Sequence, residues 1–246
     1  MKNILKVASM ALVLSLTLFG ITNKASAAKL TLYCSVEIDV CEMLEQAYEK
    51  ETGTKVAMTR ASSGETFAKI KAEASNPKGD VWFGGTGDPH LTAAQENLTE
   101  KYKSVHFNDL LPAAQNQAKN ADFKSVGIYV GALGFGYNKD LLAKKGLPAP
   151  KSWMDLTKPI YKGEIQVANP NSSGTAYTTL ATILQIFGED KGWDYMKKLH
   201  ANINTYTKSG SAPIKATGRG ENLIGICFQH DLSLIHISEP TRRRTI

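Results

Sequence analysis

The sequence has 246 residues, of which 29 are basic and 23 acidic, giving a formal net charge of +6 at pH 7. Residues 1–27 and 232–246 together carry six of the basic residues and one of the acidic residues, so the rest of the chain holds 23 basic and 22 acidic side chains. This balance argues against a nucleic acid or another polyanion as the partner. The roughly 200 residues between these ends suffice for one large core or two smaller ones.

The N-terminal segment, residues 1–27, has the pattern of a secretory signal peptide. Lys2 and Lys6 give it a positive start, residues 7–21 form an apolar middle, and residues 25–27 are the small residues of a cleavage site. The apolar run is too short, and too closely followed by polar residues, for a membrane anchor. The pattern predicts an exported protein located in a bacterial periplasm.

The next elements alternate between strand and helix. Residues 29–35 alternate in polarity as a strand does, apolar residues recur at helical spacing over residues 40–48, and Gly53 ends that helix. A second strand is predicted at residues 55–59 and a third at residues 80–83. This alternation predicts a mostly parallel α/β sheet with helices on its faces.

Polar residues follow each of these three strands. Ser35 follows the first, and Ser62 and Ser63 follow the second, where Ser62 is a predicted helix N-cap with Glu65 in the reciprocal capping position. The third strand runs into a glycine-rich turn that contains Thr86. Because ligands bind at the carboxyl ends of strands in such sheets, the three polar loops are predicted to converge on one edge. Each loop taken alone is an ordinary turn.

Two of the three cysteines lie close together in the sequence. Cys34 and Cys41 are separated by seven positions, at the predicted end of a strand and the start of the next helix. In an oxidising compartment they are candidates for a disulfide, and two free buried thiols are the alternative. Cys227 has no evident partner, and the spacings do not suggest a zinc site.

The second half of the chain continues the alternation of strands and helices. Residues 126–137 form a long predicted β run, whose alternate glycines suit either a crossover between two lobes or a central strand. The later predicted elements are a helix at 139–145, a helix capped by Ser152, a strand at 164–168, a helix from 173, a helix at 193–200 and a strand at 223–228. The last strand delivers His230 and Asp231 to its carboxyl end.

Residues 169–175 are a candidate anion-binding site. They follow a predicted strand and begin a helix, whose first N–H groups lack partners within the helix and lie at the positive end of its dipole. Ser173, Gly174 and Thr175 would therefore donate hydrogen bonds to a phosphate or a carboxylate. The alternative is an ordinary helix cap formed by Ser172 or Ser173.

The C-terminal segment, residues 232–246, differs in character from the rest of the chain. It resembles the translation of a transposon-end adapter used in sequencing libraries, so the native gene is expected to break off near Asp231. The alternative is a genuine basic tail. If the segment is foreign, its three arginines are not a nucleic-acid or membrane patch.

The motifs together resemble those of one family. The chain resembles the periplasmic substrate-binding proteins of ABC importers, in the group that contains ferric-ion, phosphonate and phosphorylated-sugar binders. Within that group it is most similar to the hexose-phosphate binders. The resemblance covers about residues 29–231. The segments that carry it are residues 32–35, 60–65, 84–90, 169–175 and 225–231.

This resemblance implies a two-lobed α/β fold, the type II periplasmic binding protein fold, which closes around a ligand held between its lobes. Residues 28–130 would form an incomplete first lobe and residues 131–231 the second, and a missing C-terminal part would complete the first lobe. The resemblance also implies a monomer that delivers its ligand to an ABC permease in the inner membrane, without a cofactor.

Phosphorylated sugars, phosphonates or carboxylated ligands, and ferric ion stay open as ligands within that group. Ferric-ion binders use a pair of adjacent tyrosines after the last strand, whereas this chain has His230 and Asp231 there and no adjacent tyrosine pair. A carboxylate and a neutral imidazole suit sugar hydroxyls, although such a pair can also serve only to satisfy backbone groups at the strand end. We therefore predict a phosphorylated organic solute, a sugar phosphate, and no metal site, with ferric ion as the alternative.

The predicted ligand-binding residues are Ser35, Ser62, Thr86, Ser173, Gly174, Thr175, His230 and Asp231. Trp82 is a further candidate, to lie against a sugar ring, and Arg60 is predicted to pair with Glu65. No enzyme is predicted, because the chain lacks a G-x-S-x-G motif and adjacent His and Asp residues are poorly placed to act as a base and its orienting group.

Overall fold

The computed structural model describes residues 29–237, and these residues are organised around two β-sheets. The predicted signal peptide and residues 238–246 of the predicted foreign tail lie outside the described residues. We call the part built on the three-stranded sheet the first lobe and the part built on the four-stranded sheet the second lobe. The predicted boundary between residues 130 and 131 stays a prediction.

The first lobe is a parallel sheet with strand order β2-β1-β3. Its strands are β1 (Lys29–Cys34), β2 (Lys55–Arg60) and β3 (Val81–Phe83). Its helices are α1 (Ile38–Thr52), α2 (Ser63–Ala72), α3 (Gly87–Gln95) and α4 (Pro112–Asn120). Since α1, α2 and α3 each follow a strand of this sheet, all three begin at its carboxyl edge.

The second lobe has strand order β4-β7-β5-β6, with β4 antiparallel to β7 and the other pairs parallel. Its strands are β4 (Leu133–Tyr137), β5 (Ile165–Ala168), β6 (Ile203–Thr207) and β7 (Ile224–Phe228). Its helices are α5 (Lys139–Lys144), α6 (Gly174–Phe187), α7 (Glu189–His200), α8 (Ala212–Gly218) and α9 (Gln229–Ile237). Helices α6, α8 and α9 follow β5, β6 and β7.

The larger hydrophobic core lies in the second lobe. Its central strands β5 and β7 are almost fully buried, and Ile165, Ile224 and Ile226 are completely inaccessible. The core of the first lobe is smaller and is centred on Leu32 and the two neighbouring cysteines. In residues 29–237, no helix combines the length and apolar character needed to span a membrane.

The predicted strands and helices are confirmed in most places, and the differences are informative. The long β run predicted at residues 126–137 is wrong in its first half, because strand structure begins only at Leu133. Ile128 and Val130 are exposed because no sheet in the described part of the chain packs against them, and 86% of the surface of Val130 is accessible. The helix predicted after Ser152 is a short 3-10 turn. Helices α3, α4, α8 and α9 and strand β6 were not predicted.

Cys34 and Cys41 form a disulfide, which decides between the two alternatives left open by the sequence. The bond ties the end of β1 to the first turn of α1, and both cysteines are completely buried. Cys227 is buried in β7 with a free thiol.

Replacing Cys34 and Cys41 together by alanine should lower the free energy of unfolding by about 2 kcal/mol, because the crosslink closes a seven-residue separation in the unfolded chain. Urea unfolding curves with and without reductant measure this. Reductant should destabilise the wild type by the same amount and leave the double variant unchanged. Equal stability of the oxidised wild type and the variant would contradict the expectation.

Candidate functional site

A cleft of about 680 Å³ lies between the two lobes, at the carboxyl edges of both sheets. The structure brings all the predicted site residues together there, although they come from both halves of the chain. Those residues in the cleft lining are Ser35, Ser62, Thr86, Ser173, Gly174, Thr175, His230 and Asp231. The convergence of polar loops predicted for the first lobe is therefore present, and the second lobe faces it.

Several helices begin at this cleft, and three of them start at predicted site residues. Their N-cap residues are Ser62 for α2, Thr86 for α3 and Ser173 for α6, and each of the three lines the cleft. The first N–H groups of a helix have no acceptor within it, and the positive end of the helix dipole lies there. The helix starts therefore present backbone N–H donors to the cleft, whose lining also includes the charged residues Glu37, Arg60, Asp88 and Asp231.

Ser173 caps a helix and also lies in the cleft, so the helix-cap alternative is confirmed and the anion-binding alternative stays a prediction. Its Oγ accepts a hydrogen bond from the N–H of Ala176 at 3.5 Å, so it caps α6, as one alternative proposed. It is buried and lines the cleft at the same time. The cap occupies one backbone donor, while the N–H groups of Gly174 and Thr175 precede the first hydrogen-bonded turn and have no intrahelical acceptor.

Thr86 carries an unsatisfied hydroxyl into the same region. Its Oγ1 is buried and makes no hydrogen bond within the described part of the chain, whereas its N–H donates to Ser63 Oγ at 3.3 Å. A buried hydroxyl without a partner is costly, by roughly 1–3 kcal/mol. Gly174 of the second lobe approaches it so closely that a Cβ there would lie 2.0 Å from Thr86 Oγ1.

The hydroxyls of Ser35 and Ser62 already have partners. Ser35 Oγ accepts a hydrogen bond from Trp82 Nε1 at 3.0 Å and shares another with Thr66 Oγ1 at 3.0 Å. Ser62 Oγ donates to the carbonyl of Lys208 at 3.2 Å. These two residues therefore form part of the cleft wall, and their hydroxyl groups have little hydrogen-bonding capacity left for a ligand.

His230 and Asp231 lie in the first turn of α9, directly after β7. His230 Nε2 is 3.6 Å from Asp231 Oδ1, and Asp231 Oδ2 accepts a hydrogen bond from the N–H of Phe228 at 3.3 Å. One carboxylate oxygen of Asp231 thus accepts a hydrogen bond from the local backbone, and the other lies next to the imidazole of His230. Burial raises the pKa of Asp231, and the neighbouring His230 opposes that rise.

Two predicted side-chain roles are wrong. Trp82 does not line the cleft, because its ring stacks on His90 with the centroids 3.6 Å apart. Arg60 does line the cleft but does not pair with Glu65. Its Nε donates to the carbonyl of Val36 at 2.9 Å, and its Nη2 donates to Ser209 Oγ at 3.3 Å. Trp82 Nε1 also donates to Ser35 Oγ, 47 positions away, so both side chains are engaged by groups distant in the sequence.

An ion pair between the lobes was not predicted. Glu37, at the N-cap of α1, pairs with Lys215 of α8 across the cleft. Burial alone would raise the pKa of Glu37, but Lys215, a hydrogen bond from Ser211 and the charge of Arg60 lower it overall. The pairing residues are 178 positions apart, so the sequence offers no local signal for this contact.

Backbone groups also join the lobes beside the cleft. The N–H of Gly64, in the first turn of α2, donates to the carbonyl of Ser172 at 3.0 Å. A Cβ on Gly64 would lie 2.5 Å from the carbonyl oxygen of Asn171, so the start of α2 rests directly on the loop that precedes α6. Within residues 29–237, no group of three or more His, Cys, Asp or Glu side chains is arranged to hold a metal ion.

Comparisons with known proteins place the chain among binding proteins. Residues 81–232 match the family model of bacterial extracellular solute-binding proteins. An uncharacterized protein from Haemophilus influenzae is 44% identical over 231 residues, which are 94% of this chain and 66% of that protein. The chain spans 43% and 39% of the length of two further curated relatives.

Solved structures agree with the two-lobed architecture. The periplasmic binding protein AfuA from Actinobacillus pleuropneumoniae, with exogenous fructose-6-phosphate bound, is 45% identical, with a TM-score of 0.84 over 87% of this chain and 67% of that chain. Iron-bound HitA from Pseudomonas aeruginosa is 20% identical, with a TM-score of 0.71 over 86% of this chain and 66% of that chain, a likeness of fold alone. The predicted type II periplasmic binding protein fold is confirmed.

Replacing Gly174 by alanine should push the lobes apart, because the new Cβ would overlap Thr86. Overpacking of this kind costs about 1–3 kcal/mol, which separation of the lobes relieves. Small-angle scattering should show a larger radius of gyration. Gly134→Ala is the control, since its Cβ would meet only Gln229 Cγ at 4.0 Å. Identical scattering of the two variants would contradict the close contact.

Replacing Glu37 by glutamine should lower the free energy of unfolding near neutral pH, and the loss should be smaller in acid. The folded-state pKa of Glu37 is lowered from 4.5, so its stabilisation is present above that value and lost as the pH falls through the folded-state pKa. Urea unfolding between pH ~7 and ~3.5 should show the wild-type advantage shrinking. The Lys215→Met variant should be less stable than the wild type near neutral pH, and this difference in unfolding free energy should also shrink as the pH is lowered. A difference that stays constant with pH would rule out this role for the ion pair.

Proposed function

The chain belongs to the bacterial extracellular solute-binding proteins, and from that membership we propose that it captures a phosphorylated organic solute, a sugar phosphate, in the cleft between its lobes. It does so as the periplasmic solute-binding component of an ABC importer, and it delivers the solute to a permease in the inner membrane. It acts as a monomer, and no chemical conversion of the solute is part of this function.

The observation that carries the proposal is the unsatisfied hydroxyl of Thr86 beside the start of α6. Thr86 Oγ1 is buried without a partner, and Gly174 and Thr175 present helix-start N–H groups next to it. A phosphate placed in the cleft beside them would accept hydrogen bonds from the N–H groups of Gly174 and Thr175 and would lie at the positive ends of α3 and α6. A slight separation of the lobes would open the Thr86 hydroxyl to the same phosphate, since Gly174 is what covers it here. The phosphate needs no arginine in this arrangement, since neutral donors and helix dipoles serve it.

The other end of the cleft supports recognition of hydroxyl groups. Asp231 has one carboxylate oxygen turned toward His230, and the imidazole is half exposed, with 52% of its side chain accessible. A carboxylate accepts hydrogen bonds from sugar hydroxyls, and a neutral imidazole both donates and accepts. Fructose-6-phosphate, found in the 45% identical structure, has a phosphate at one end and hydroxyls at the other.

Ligand capture and lobe closure are linked in this proposal. Thr86 belongs to the first lobe, while Ser173, Gly174 and Thr175 belong to the second, so a phosphate contacts both only when the lobes are together. A ligand stabilises the conformation to which it binds more tightly. The sugar phosphate therefore stabilises the closed arrangement, in which the ion pair of Glu37 and Lys215 is also formed.

Isothermal titration calorimetry of the purified chain with fructose-6-phosphate tests the proposal. Fructose and inorganic phosphate are the matched probes, and binding should be strongest for the compound that carries both groups. Ferric citrate is a further probe, because ferric ion was the alternative predicted from the sequence. A charge-transfer colour with ferric citrate, together with no heat from fructose-6-phosphate, would replace the sugar-phosphate proposal by iron binding.

Replacing Thr86 by valine should weaken fructose-6-phosphate binding by about tenfold, because the hydroxyl that donates to the charged phosphate is lost while the shape of the side chain is kept. A bulky residue at Ser173 or Thr175 should abolish binding. Thr205→Val, at an exposed position of β6 outside the cleft lining, is the control. Unchanged affinity in Thr86→Val would contradict the placement of the phosphate beside Thr86 and the start of α6.

A further inference from the structure

Tyr129 is a cleft residue that no sequence motif indicated. It lies between α4 and β4, in the segment that joins the first lobe to the second, and it lines the cleft. The predicted β run in this region would have made it an ordinary strand residue. In the structure the segment is not a strand, and the tyrosine side chain reaches into the space between the lobes.

The hydroxyl of Tyr129 makes two hydrogen bonds to one residue of the first lobe. It donates to the carbonyl of Gly85 at 2.8 Å and accepts from the N–H of Gly85 at 2.8 Å. Gly85 has φ of +89°, and a Cβ there would lie 2.2 Å from Ser63 Oγ, so the turn requires glycine and has no side chain of its own to hold it. The residue that follows this turn is Thr86.

The ring of Tyr129 meets the second lobe. Its centroid is 6.4 Å from that of His230, with the planes inclined by 80°, an edge-to-face arrangement. His230 also stacks against Phe228, with the centroids 5.4 Å apart and the planes inclined by 11°. The imidazole is half exposed, and the two aromatic rings fix its direction together with Asp231 Oδ1, which lies 3.6 Å from Nε2.

The hydroxyl of Tyr129 stays protonated under ordinary conditions. Burial raises its pKa, and the charge of Asp231 adds to that rise against the opposing hydrogen bond of Gly85. A protonated phenol donates one hydrogen bond and accepts others, which the two bonds to Gly85 require.

From these contacts we propose that Tyr129 is a positioning residue that holds the two ends of the ligand site in register. Its hydroxyl holds the turn that precedes Thr86, which binds the phosphate. Its ring orients the imidazole of His230, which binds the hydroxyl groups of the sugar. The inference rests on the proposed function. Tyr129 is placed for this in the segment between the lobes, where it keeps contact with both of them.

Two substitutions separate the hydroxyl from the ring. Tyr129→Phe removes both bonds to Gly85 and keeps the ring, so binding of inorganic phosphate and of fructose-6-phosphate should weaken by the same factor, about 5- to 20-fold. Tyr129→Leu also removes the ring, so fructose-6-phosphate should lose about a further threefold to tenfold while phosphate does not. The ratio of the two dissociation constants is the readout that a purely structural role would not change.

Tyr102→Phe is the matched control, because Tyr102 is 74% exposed and lies outside the cleft lining. Calorimetry on all variants is accompanied by melting curves, and Tyr129→Met replaces the leucine variant if that variant does not fold. Affinities of Tyr129→Phe equal to those of the control would overturn the role of the hydroxyl. An unchanged ratio in Tyr129→Leu would overturn the role of the ring. If the wild type binds neither probe, the proposed function fails and this inference fails with it.

Discussion

The site depends on one topological constraint: a helix that follows a parallel strand begins at the carboxyl end of that strand. Each such helix begins at the carboxyl edge of its sheet, and its first N–H groups cannot be satisfied within the helix. Two sheets that face each other across a cleft therefore aim several helix starts at one space. Here the N-caps are Ser62, Thr86 and Ser173. A cleft lined by helix-start N–H groups follows from topology, and small polar residues fit between the closely approaching backbones.

The same close approach joins the lobes. Gly64 donates to the carbonyl of Ser172, and Gly174 leaves no room for a side chain against Thr86, so backbone meets backbone across the cleft. The ion pair of Glu37, which lines the cleft, and Lys215 adds a charged contact between the lobes. Its charges are partly desolvated, and the gain from pairing is offset by that cost. Shape and hydrogen bonding therefore align the lobes, and the ion pair makes the alignment sensitive to acid.

The sequence predicted what depends on local pattern. Strand ends, helix starts and the polar residues between them follow from periodicity and capping, which is why all eight candidate residues lie in the cleft. Contacts that depend on distant partners could not be read in this way. Arg60 binds Ser209 instead of Glu65, and Trp82 stacks on His90. The alternate glycines after residue 126 suggested a strand, yet a strand also needs a neighbour, and Leu133 is where β7 supplies one.

A site made of backbone donors from two lobes differs from one made of arginines in how it releases an anion. An arginine carries its charge with it and keeps attracting the anion after the lobes separate, because the attraction falls off slowly with distance. Helix-start N–H groups act only within hydrogen-bonding distance, and the dipole effect fades within the first turn. Under the proposed function, opening the cleft would separate Thr86 from the start of α6 and remove part of the donor set in one step. Affinity would then fall steeply with a small movement, which suits a protein that must both capture a solute and give it up.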